Sequence, residues 1–209
     1  MQNIRKITVI DYGLNNINSI SRALDYIGVK FIVSANPKII SSSDYLILPG
    51  VGSFPDGMKS INENELLHPI KLSVEKGKPL LGICLGMQML FDKSFENIET
   101  NGFGFIKGKV KKIRTAGEGI KRKVPHVGWN RLIFTNKKES TKIFENKYMY
   151  FVHSFMAMPK FKSNIASYID YKGLEIPAIV KQDNVVGVQF HPEKSGKYGL
   201  QLLDSIINY

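Results

Sequence analysis

The chain has 209 residues, of which 43% are hydrophobic, with a single cysteine and a formal net charge of +11 at pH 7. This size and apolar content predict one large domain with a buried core, and a lone cysteine excludes an internal disulfide framework. No apolar run reaches the length of a membrane span and the first residues lack a signal-peptide pattern, so we expect a cytoplasmic protein with no membrane partner.

In chain order, the first half alternates apolar runs with amphipathic ones. Strands are predicted at 6–13, 30–35, 44–54 (breaking at Pro49-Gly50) and 79–84. Helices are predicted at 15–28, 64–77 and from about residue 85. Strands separated by helices favour a mostly parallel sheet that is covered by helices on both faces.

The second half is richer in predicted strands. They fall at 103–113, 128–134, 149–158, 163–171, 176–182 and 184–190, and a last helix is predicted at 196–209. We see no internal repeat, low-complexity segment or linker between the halves. We therefore predict a single α/β domain over residues 1–209, with a mostly parallel mixed sheet and a β-rich second half.

Much of the positive charge lies in residues 107–123, which contain eight lysine or arginine residues and one glutamate. Such a run fits a phosphate-binding or acidic-partner surface, and it also fits a solvated loop in a lysine-rich protein. No aromatic residues suited to base stacking interleave with the charges, and no nucleic-acid-binding motif is present. We therefore expect no nucleic-acid partner.

The cysteine lies in "LLGICLGMQML", where a predicted strand meets a predicted helix through the pattern G-x-C-x-G. The pattern is typical of a nucleophile elbow with sulfur in place of the serine oxygen, because the tight turn leaves no room for side chains at Gly82 and Gly86. The head of a helix favours the thiolate of Cys84, which is its nucleophilic form. The alternative is a structural cysteine that behaves as a small buried hydrophobic residue.

The segment "NVVGVQFHPEKSG" (184–196) supplies a candidate base and a candidate orienting group. His191 and Glu193 follow a predicted strand directly, and catalytic groups of a parallel sheet gather where strands end. We expect His191 to accept the proton of Cys84 while Glu193 fixes the imidazole tautomer. A lone histidine at a strand end is often structural, but His-Pro-Glu together with a cysteine elbow favours catalysis.

A third segment, Pro49-Gly50-Val51-Gly52, ends a predicted strand in a glycine-rich turn that is suited to presenting backbone N–H groups. We expect the Val51 N–H and the Leu85 N–H, which directly follows the nucleophile, to bind an oxyanion together. Taken alone, the pattern P-G-x-G is also that of an ordinary loop.

These three segments, in this order, resemble the class I glutamine amidotransferase family. The resemblance rests on "PGVGSFPDGM", "GICLGMQ" and "GVQFHPEKSGKYGLQLL", and it runs from "DYG" near the start to the last helix. The motifs "VPHVGWN", "YFVHSF" and "HPEKSG" narrow it to the branch of glutaminase subunits of imidazole glycerol phosphate synthase. It implies a flavodoxin-like fold and hydrolysis of L-glutamine through a cysteine thioester, with no cofactor and no metal.

The resemblance also implies roles for individual residues. Cys84 would be the nucleophile, His191 the acid and base, and Glu193 the orienting carboxylate. The oxyanion N–H groups would come from Val51 and Leu85. The residues implied to hold the amino-acid end of glutamine are Gly52, Gln88, Ser154 and Phe155. The residues implied to face a partner are Asn16 and Trp129.

An ammonia acceptor domain is absent from the predicted elements, because the amidotransferase pattern uses all 209 residues. The resemblance therefore implies a heterodimer with a (β/α)₈ cyclase subunit that acts on a phosphorylated ribosyl-carboxamide nucleotide. The products implied are imidazole glycerol phosphate and aminoimidazole carboxamide ribotide, in histidine biosynthesis.

One position departs from the family pattern D-Y-G-x-G-N. The chain has Asn15 where the family usually has glycine, between Leu14 and Asn16. Asparagine tolerates positive φ better than most residues, so we expect the exchange to preserve function.

Several assignments have structural alternatives. Gln88 could be solvated, Trp129 could be a core aromatic residue and His153 could be satisfied by the backbone. His68 and His126 have no evident catalytic neighbours. Such placements are common for these residue types.

Three other functions compete with the preferred one. A paralogous amidotransferase subunit for amidation of surface-glycan sugars would keep the chemistry and change the acceptor. A γ-glutamyl hydrolase of the same fold is disfavoured by "VPHVGWN" and "HPEKSG". A basic interaction module with an inactive site is disfavoured by the intact set of cysteine, histidine and glutamate.

Overall fold

The computed structural model describes residues 5–117, 120–136 and 142–208. The described strands are β1 (Ile7–Ile10), β2 (Phe31–Ser34), β3 (Tyr45–Gly50), β4 (Leu80–Cys84), β5 (Phe91–Ser94), β6 (Thr100–Asn101), β7 (Ile106–Lys112), β8 (Ala116–Gly117), β9 (Ile120–Lys121), β10 (His126–Arg131), β11 (Ile133–Phe134), β12 (Tyr148–His153), β13 (Phe155–Pro159), β14 (Ile165–Tyr171), β15 (Leu174–Gln182) and β16 (Val185–Val188). The described helices are α1 (Ile17–Tyr26), α2 (Pro37–Ser42), α3 (Phe54–Glu63), α4 (Leu67–Glu75), α5 (Leu85–Met89) and α6 (Gly196–Asn208).

The central sheet has eight strands in the order β11-β14-β15-β16-β4-β3-β1-β2. The five strands from β16 to β2 are parallel, and β15, β14 and β11 continue the sheet in antiparallel pairing. The parallel part has the strand order of flavodoxin-like folds. The prediction of a mostly parallel mixed sheet is therefore confirmed.

Helices cover both faces of this sheet, as predicted. Strands β1, β3 and β4 are buried along their whole length, because each face packs on a separate apolar cluster. One cluster joins Val9 and Ile47 to buried residues of α1 and α6. The other joins Leu46 and Leu48 to buried residues of α2, α3 and α5. None of the helices in the described residues is long and apolar enough to cross a membrane.

Two helices, α2 and α3, were not predicted from the sequence. Helix α2 has six residues and buries only Ile40, so it offers little apolar periodicity; Asn36 caps it by accepting a hydrogen bond from the Lys38 N–H (2.9 Å). Helix α3 begins at Phe54, inside the run that we assigned to a strand, because Ser53 caps it by accepting from the Asp56 N–H.

The predicted strand 149–158 is two strands in two sheets. β12 pairs with β10 in a two-stranded sheet, whereas β13 joins a four-stranded sheet in the order β13-β7-β5-β6. The chain changes sheets at Ser154, which lies between β12 and β13. Apolar residues lie on both sides of His153-Ser154, so the sequence reads as one strand and does not mark the switch. Strand β5, which directly follows α5, was also not predicted.

Close packing explains the two glycines that flank Cys84. A Cβ atom on Gly86 would lie 1.8 Å from the carbonyl oxygen of Leu48, and one on Gly82 would lie 2.7 Å from the Gly86 carbonyl. Real Cβ atoms never approach so closely, and backbone atoms cannot move aside as a flexible side chain does. The β3-β4-α5 contact therefore requires glycine at both positions, as the sequence predicts.

We expect Gly86→Ala to lower the free energy of unfolding by about 3 kcal/mol, because its methyl group would overlap the backbone of β3. Gly117→Ala is the matched control, since its Cβ would meet only the end of the Arg122 side chain at 3.4 Å. The control is expected to change stability by less than about 0.5 kcal/mol. Urea denaturation measures both, and equal stability of the two variants would contradict the packing described above.

Candidate active site

Three neighbouring parallel strands end at the same edge of the central sheet. Gly50 at the end of β3 pairs with Cys84 at the end of β4, and Val188 of β16 pairs with Ile83. His191 follows β16 by three residues, so strand pairing brings it beside Cys84 across more than a hundred residues of sequence. The structure thus places the cysteine, the histidine and the glycine-rich turn together, as the edge of a parallel sheet allows.

Cys84 has the backbone of a nucleophile elbow. Its φ of 54° and ψ of −108° lie outside the ordinary regions for a non-glycine residue, and α5 begins at the next residue. The side chain is 7% exposed and lines an open cleft. A structural cysteine has no need of this backbone geometry, so the elbow interpretation is favoured over the buried-hydrophobe alternative.

Hydrogen bonds fix both the ring and the backbone of His191. Its Nδ1 lies 2.7 Å from Oε1 of Glu193, and both side chains are less than 5% exposed. The His191 N–H donates to the carbonyl of Tyr150 (3.0 Å), and the hydroxyl of Ser195 donates to the His191 carbonyl (2.6 Å). These contacts tie the loop after β16 to strand β12 and aim the other ring nitrogen, Nε2, at the cleft.

Opposing effects set the pKa of His191. Burial alone would lower its pKa, but hydrogen bonding and electrostatic attraction from Cys84 and Glu193 outweigh burial and raise the pKa to about 10. An imidazolium is therefore the stable form at neutral pH, paired with a carboxylate on one side and a sulfur on the other.

A cleft of about 370 Å³ opens over Cys84 and His191. Its walls include the six other residues implied to bind the oxyanion or the amino-acid end of glutamine, namely Val51, Gly52, Leu85, Gln88, Ser154 and Phe155. The volume lies in the range of small-molecule sites. Gln88 is 5% exposed, so the alternative of a solvated side chain is wrong.

Sequence reasoning missed two polar residues, one in the cleft wall and one beside the sulfur. Glu96 lines the cleft, where its Oε2 accepts the N–H of Phe54 (2.8 Å). Gln189 is fully buried and its Nε2 lies 3.8 Å from Sγ of Cys84. Neither belongs to a chemical pattern of its own, although Gln189 directly precedes Phe190 and His191 in the motif already singled out.

The oxyanion turn differs from the expectation in one respect. The N–H of Val51 donates to the carbonyl of Leu14 (3.1 Å), so it is engaged away from the sulfur. The N–H of Leu85 is the first in α5, a position without an acceptor inside the helix. Gly52, with φ of 102°, gives the turn a residue that changes conformation at little cost. In this structure one of the two expected donors, the Val51 N–H, is therefore already bonded within the protein.

The loop before α1 accommodates Asn15 without the left-handed backbone that the sequence suggested. Asn15 is not among the residues with positive φ; its side-chain amide donates to the carbonyl of Ile10 and to Oδ1 of Asp11, both at 3.3 Å. Asn16 lines a cavity of about 10 Å³ together with His191 and Glu193. The loop that contains Asn16 thus packs close to His191 and Glu193.

Trp129 lies on the surface and not in the core. It is 51% exposed, and its ring meets that of Tyr150 edge-on with the centroids 5.8 Å apart. Val127, Tyr148 and Val152 on the same two strands are also exposed. An apolar patch of this kind is typical of a protein interface, which agrees with the expected partner face.

The basic run is partly occupied by contacts within the protein. The guanidinium of Arg122 donates to the carbonyls of Tyr171 (3.0 Å) and Lys172 (2.7 Å), and Lys107 pairs with Asp92 at 3.0 Å. Two of the eight basic side chains in this run therefore have polar partners within the protein.

We expect Glu193→Gln to lower the pKa of His191, because the variant removes a carboxylate that raises it. NMR titration of the His191 imidazole measures this pKa, and in the wild type we expect the imidazole to stay protonated beyond pH 8. A raised folded-state pKa stabilises the protein fully below the unfolded value of about 6.5 and loses that effect as the pH rises toward 10. The stability advantage of the wild type over the variant should therefore shrink over this interval. A wild-type pKa near 6.5 would contradict the pairing.

Comparisons with known proteins agree with this geometry. A family model described as glutamine amidotransferase class-I matches residues 8–206. The imidazole glycerol phosphate synthase subunit HisH of Bacillus subtilis is 45% identical, with 94% of this chain and 93% of that protein covered. The protein of the same name from Aquifex aeolicus is 44% identical, with 96% and 95% covered.

Solved structures show the same fold at low sequence identity. A crystal structure of a glutamine amidotransferase has a TM-score of 0.75 at 16% identity, covering 96% of this chain and 97% of the other. A chain in the structure of PurLQS from Thermotoga maritima has a TM-score of 0.73 at 24% identity, with 98% of both chains covered. The solved structures show the fold alone, whereas the family match and the identity to the HisH subunits show the family. The chain belongs to the class-I glutamine amidotransferase family.

Proposed function

We propose that the chain is the glutaminase subunit of imidazole glycerol phosphate synthase, acting in histidine biosynthesis. The observation that carries the proposal is the elbow of Cys84 beside the charged pair of His191 and Glu193, at the floor of a cleft. Relatives that bear this subunit name at 41–45% identity support the pathway. They also favour it over amidation of surface-glycan sugars.

The proposed reaction converts L-glutamine to glutamate and ammonia through a thioester. The Cys84 thiolate attacks the side-chain carbonyl carbon, and the resulting oxyanion is stabilised by backbone N–H groups. Collapse breaks the C–N bond while the His191 imidazolium protonates the departing nitrogen. The neutral imidazole then takes a proton from water, which attacks the thioester and releases glutamate.

Polar groups on the cleft walls suit the amino-acid end of glutamine. Burial raises the pKa of Glu96, and nearby Asp56 acts in the same direction, which is the environment of a carboxylate that gains from a cationic ligand. The α-ammonium group of glutamine would supply that charge. The side-chain oxygen of Gln88 would face the same ammonium group, and Gly52 and the backbone after β12 would surround the remainder of the amino-acid end.

Ammonia released into bulk water would be protonated and diluted, so the activity requires an acceptor site nearby. We propose that residues 1–209 act as one glutamine amidotransferase domain, since the family match extends over nearly all of them. The patch around Trp129 would receive a cyclase subunit of (β/α)₈ fold. A cytoplasmic location is part of the proposal, because Cys84 must remain a reduced thiol.

We expect Cys84→Ala in the complex with the cyclase to reduce glutamine-dependent product formation below about one thousandth of the wild-type rate, because the nucleophile is lost. Product formation from added ammonium salt should remain, since the cyclase site is untouched. Both rates are measured by the absorbance of the product nucleotide. Release of glutamate by the variant at the wild-type rate would rule out Cys84 as the nucleophile.

We expect the isolated chain to hydrolyse glutamine about 100-fold more slowly than the complex, because the Val51 N–H is bonded to Leu14 and one oxyanion donor is missing. A coupled assay for glutamate measures both forms. Trp129→Ala should weaken the activation by raising the cyclase concentration it requires. Full turnover without any cyclase would contradict this account of the oxyanion turn.

A further inference from the structure

His126 and His153 are two buried histidines that the thioester mechanism does not use. They face each other across the β10-β12 pair, with Nδ1 of His126 2.9 Å from Nε2 of His153. The pair continues in both directions. Nδ2 of Asn130 lies 2.6 Å from Nε2 of His126, and Nδ1 of His153 lies 2.8 Å from the carbonyl oxygen of Phe155.

Elementary donor and acceptor rules fix the direction of this chain. The Phe155 carbonyl only accepts, so Nδ1 of His153 carries a proton, and in a neutral ring Nε2 is then an acceptor. Nε2 of His153 must therefore receive a proton from Nδ1 of His126, which leaves Nε2 of His126 to accept from the Asn130 amide. Both rings are neutral at physiological pH, since burial lowers the pKa of each to about 4. One tautomer of each ring satisfies every contact.

The same Phe155 carbonyl is shared with the glutamine cleft. It also accepts a hydrogen bond from Nε2 of Gln88 (3.1 Å), whose second N–H donates to Oε1 of Gln189 (3.0 Å). Nε2 of Gln189 in turn lies 3.8 Å from Sγ of Cys84. Both amide hydrogens of Gln88 are thus used by the protein, so its oxygen is the polar atom left for a ligand in the cleft.

Other contacts keep the histidine pair from rearranging. The ring of His126 lies against that of Tyr171, with the centroids 4.2 Å apart, and against that of Phe151 at 5.4 Å. Asn130 follows Trp129 directly on β10, which is the hairpin strand with the exposed apolar patch. The hydrogen bonds therefore begin at the hairpin strand that carries the proposed partner face on its other side, and they end in the cleft wall.

We propose that His126 and His153 are positioning residues for glutamine binding, forming a one-way hydrogen-bond chain from Asn130 that fixes the Phe155 carbonyl and the Gln88 amide. The inference rests on the proposed glutaminase function. The fixed amide presents an acceptor to the cleft, which suits the α-ammonium group of an amino acid. Disruption of these hydrogen bonds should weaken the binding of glutamine more than it slows the chemical step.

Two substitutions of His153 separate its ring nitrogens. Asparagine reproduces the donor at Nδ1, whereas glutamine reproduces only the position of Nε2 and loses the bond to Phe155. In the complex with the cyclase, we expect His153→Gln to raise the KM for glutamine about tenfold and change kcat less than about threefold. The KM of His153→Asn should lie at least about threefold below that of His153→Gln.

A substitution of Asn130 tests the hydrogen-bond chain at the end that lies away from the cleft, since Asn130 does not line the cleft. Asn130→Asp replaces the donor with an acceptor, so Nε2 of His126 donates instead of accepting and the one-way direction of the hydrogen bonds is lost; the KM for glutamine should rise about fivefold. Gln201→Glu makes the same amide-to-acid change on the exposed face of α6 and should leave the KM unchanged. Thermal unfolding of every variant is recorded beside the kinetics.

An independent readout needs no variant. Nitrogen chemical shifts of the wild-type imidazoles should show the Nδ1–H tautomer for both His126 and His153, and the Nε2–H tautomer at either ring would overturn the proposal. Wild-type KM values in both His153→Gln and Asn130→Asp would overturn it as well, while leaving the glutaminase function intact. A wild-type complex that releases no glutamate would instead refute the proposed function.

Discussion

The strained backbone of Cys84 is the constraint on which the site depends. A left-handed conformation at a non-glycine residue costs about 1–3 kcal/mol, and it persists only where the surroundings enforce it. Here the enforcement is the contact of Gly86 with the β3 backbone and of Gly82 with the first turn of α5. The contact places Cys84 at the sheet edge, where its side chain and Val51 line the same cleft.

Burial does not by itself decide the charge of a histidine in this protein. His126, His153 and His191 are each less than 7% exposed, yet the first two have lowered pKa values and the third a raised one. The difference lies in their neighbours. His191 meets a carboxylate and a sulfur, whose effects outweigh desolvation, whereas the other two contact each other, neutral amide groups and the aromatic rings of Phe151 and Tyr171. The proposed base, His191, is thus charged, whereas His126 and His153 stay neutral.

The proposed site has its His191–Glu193 pair in place, but one of its two expected oxyanion donors is engaged elsewhere. The Glu193–His191 contact is formed, but the Val51 N–H belongs to Leu14. Strand β12 is bonded through Tyr150 to the His191 backbone, and its partner strand β10 carries Trp129. A partner that docks on these two strands would therefore contact an element that is hydrogen-bonded to the backbone of the proposed base, His191. An enzyme whose product is free ammonia benefits from such an arrangement, since hydrolysis without an acceptor is wasteful.

The sequence by itself determined the parallel sheet, the elbow and the His-Pro-Glu segment, because short apolar runs, paired glycines and a charged strand end act through local geometry. It also indicated the walls of the cleft through family motifs. It did not reveal helix α2, the change of sheets at Ser154, or the parts played by Glu96 and Gln189. Only the tertiary structure decided that Val51 bonds to Leu14 and that His126 meets His153. Such contacts join residues far apart in the chain, and no local pattern encodes the partner of a backbone N–H or of a buried imidazole.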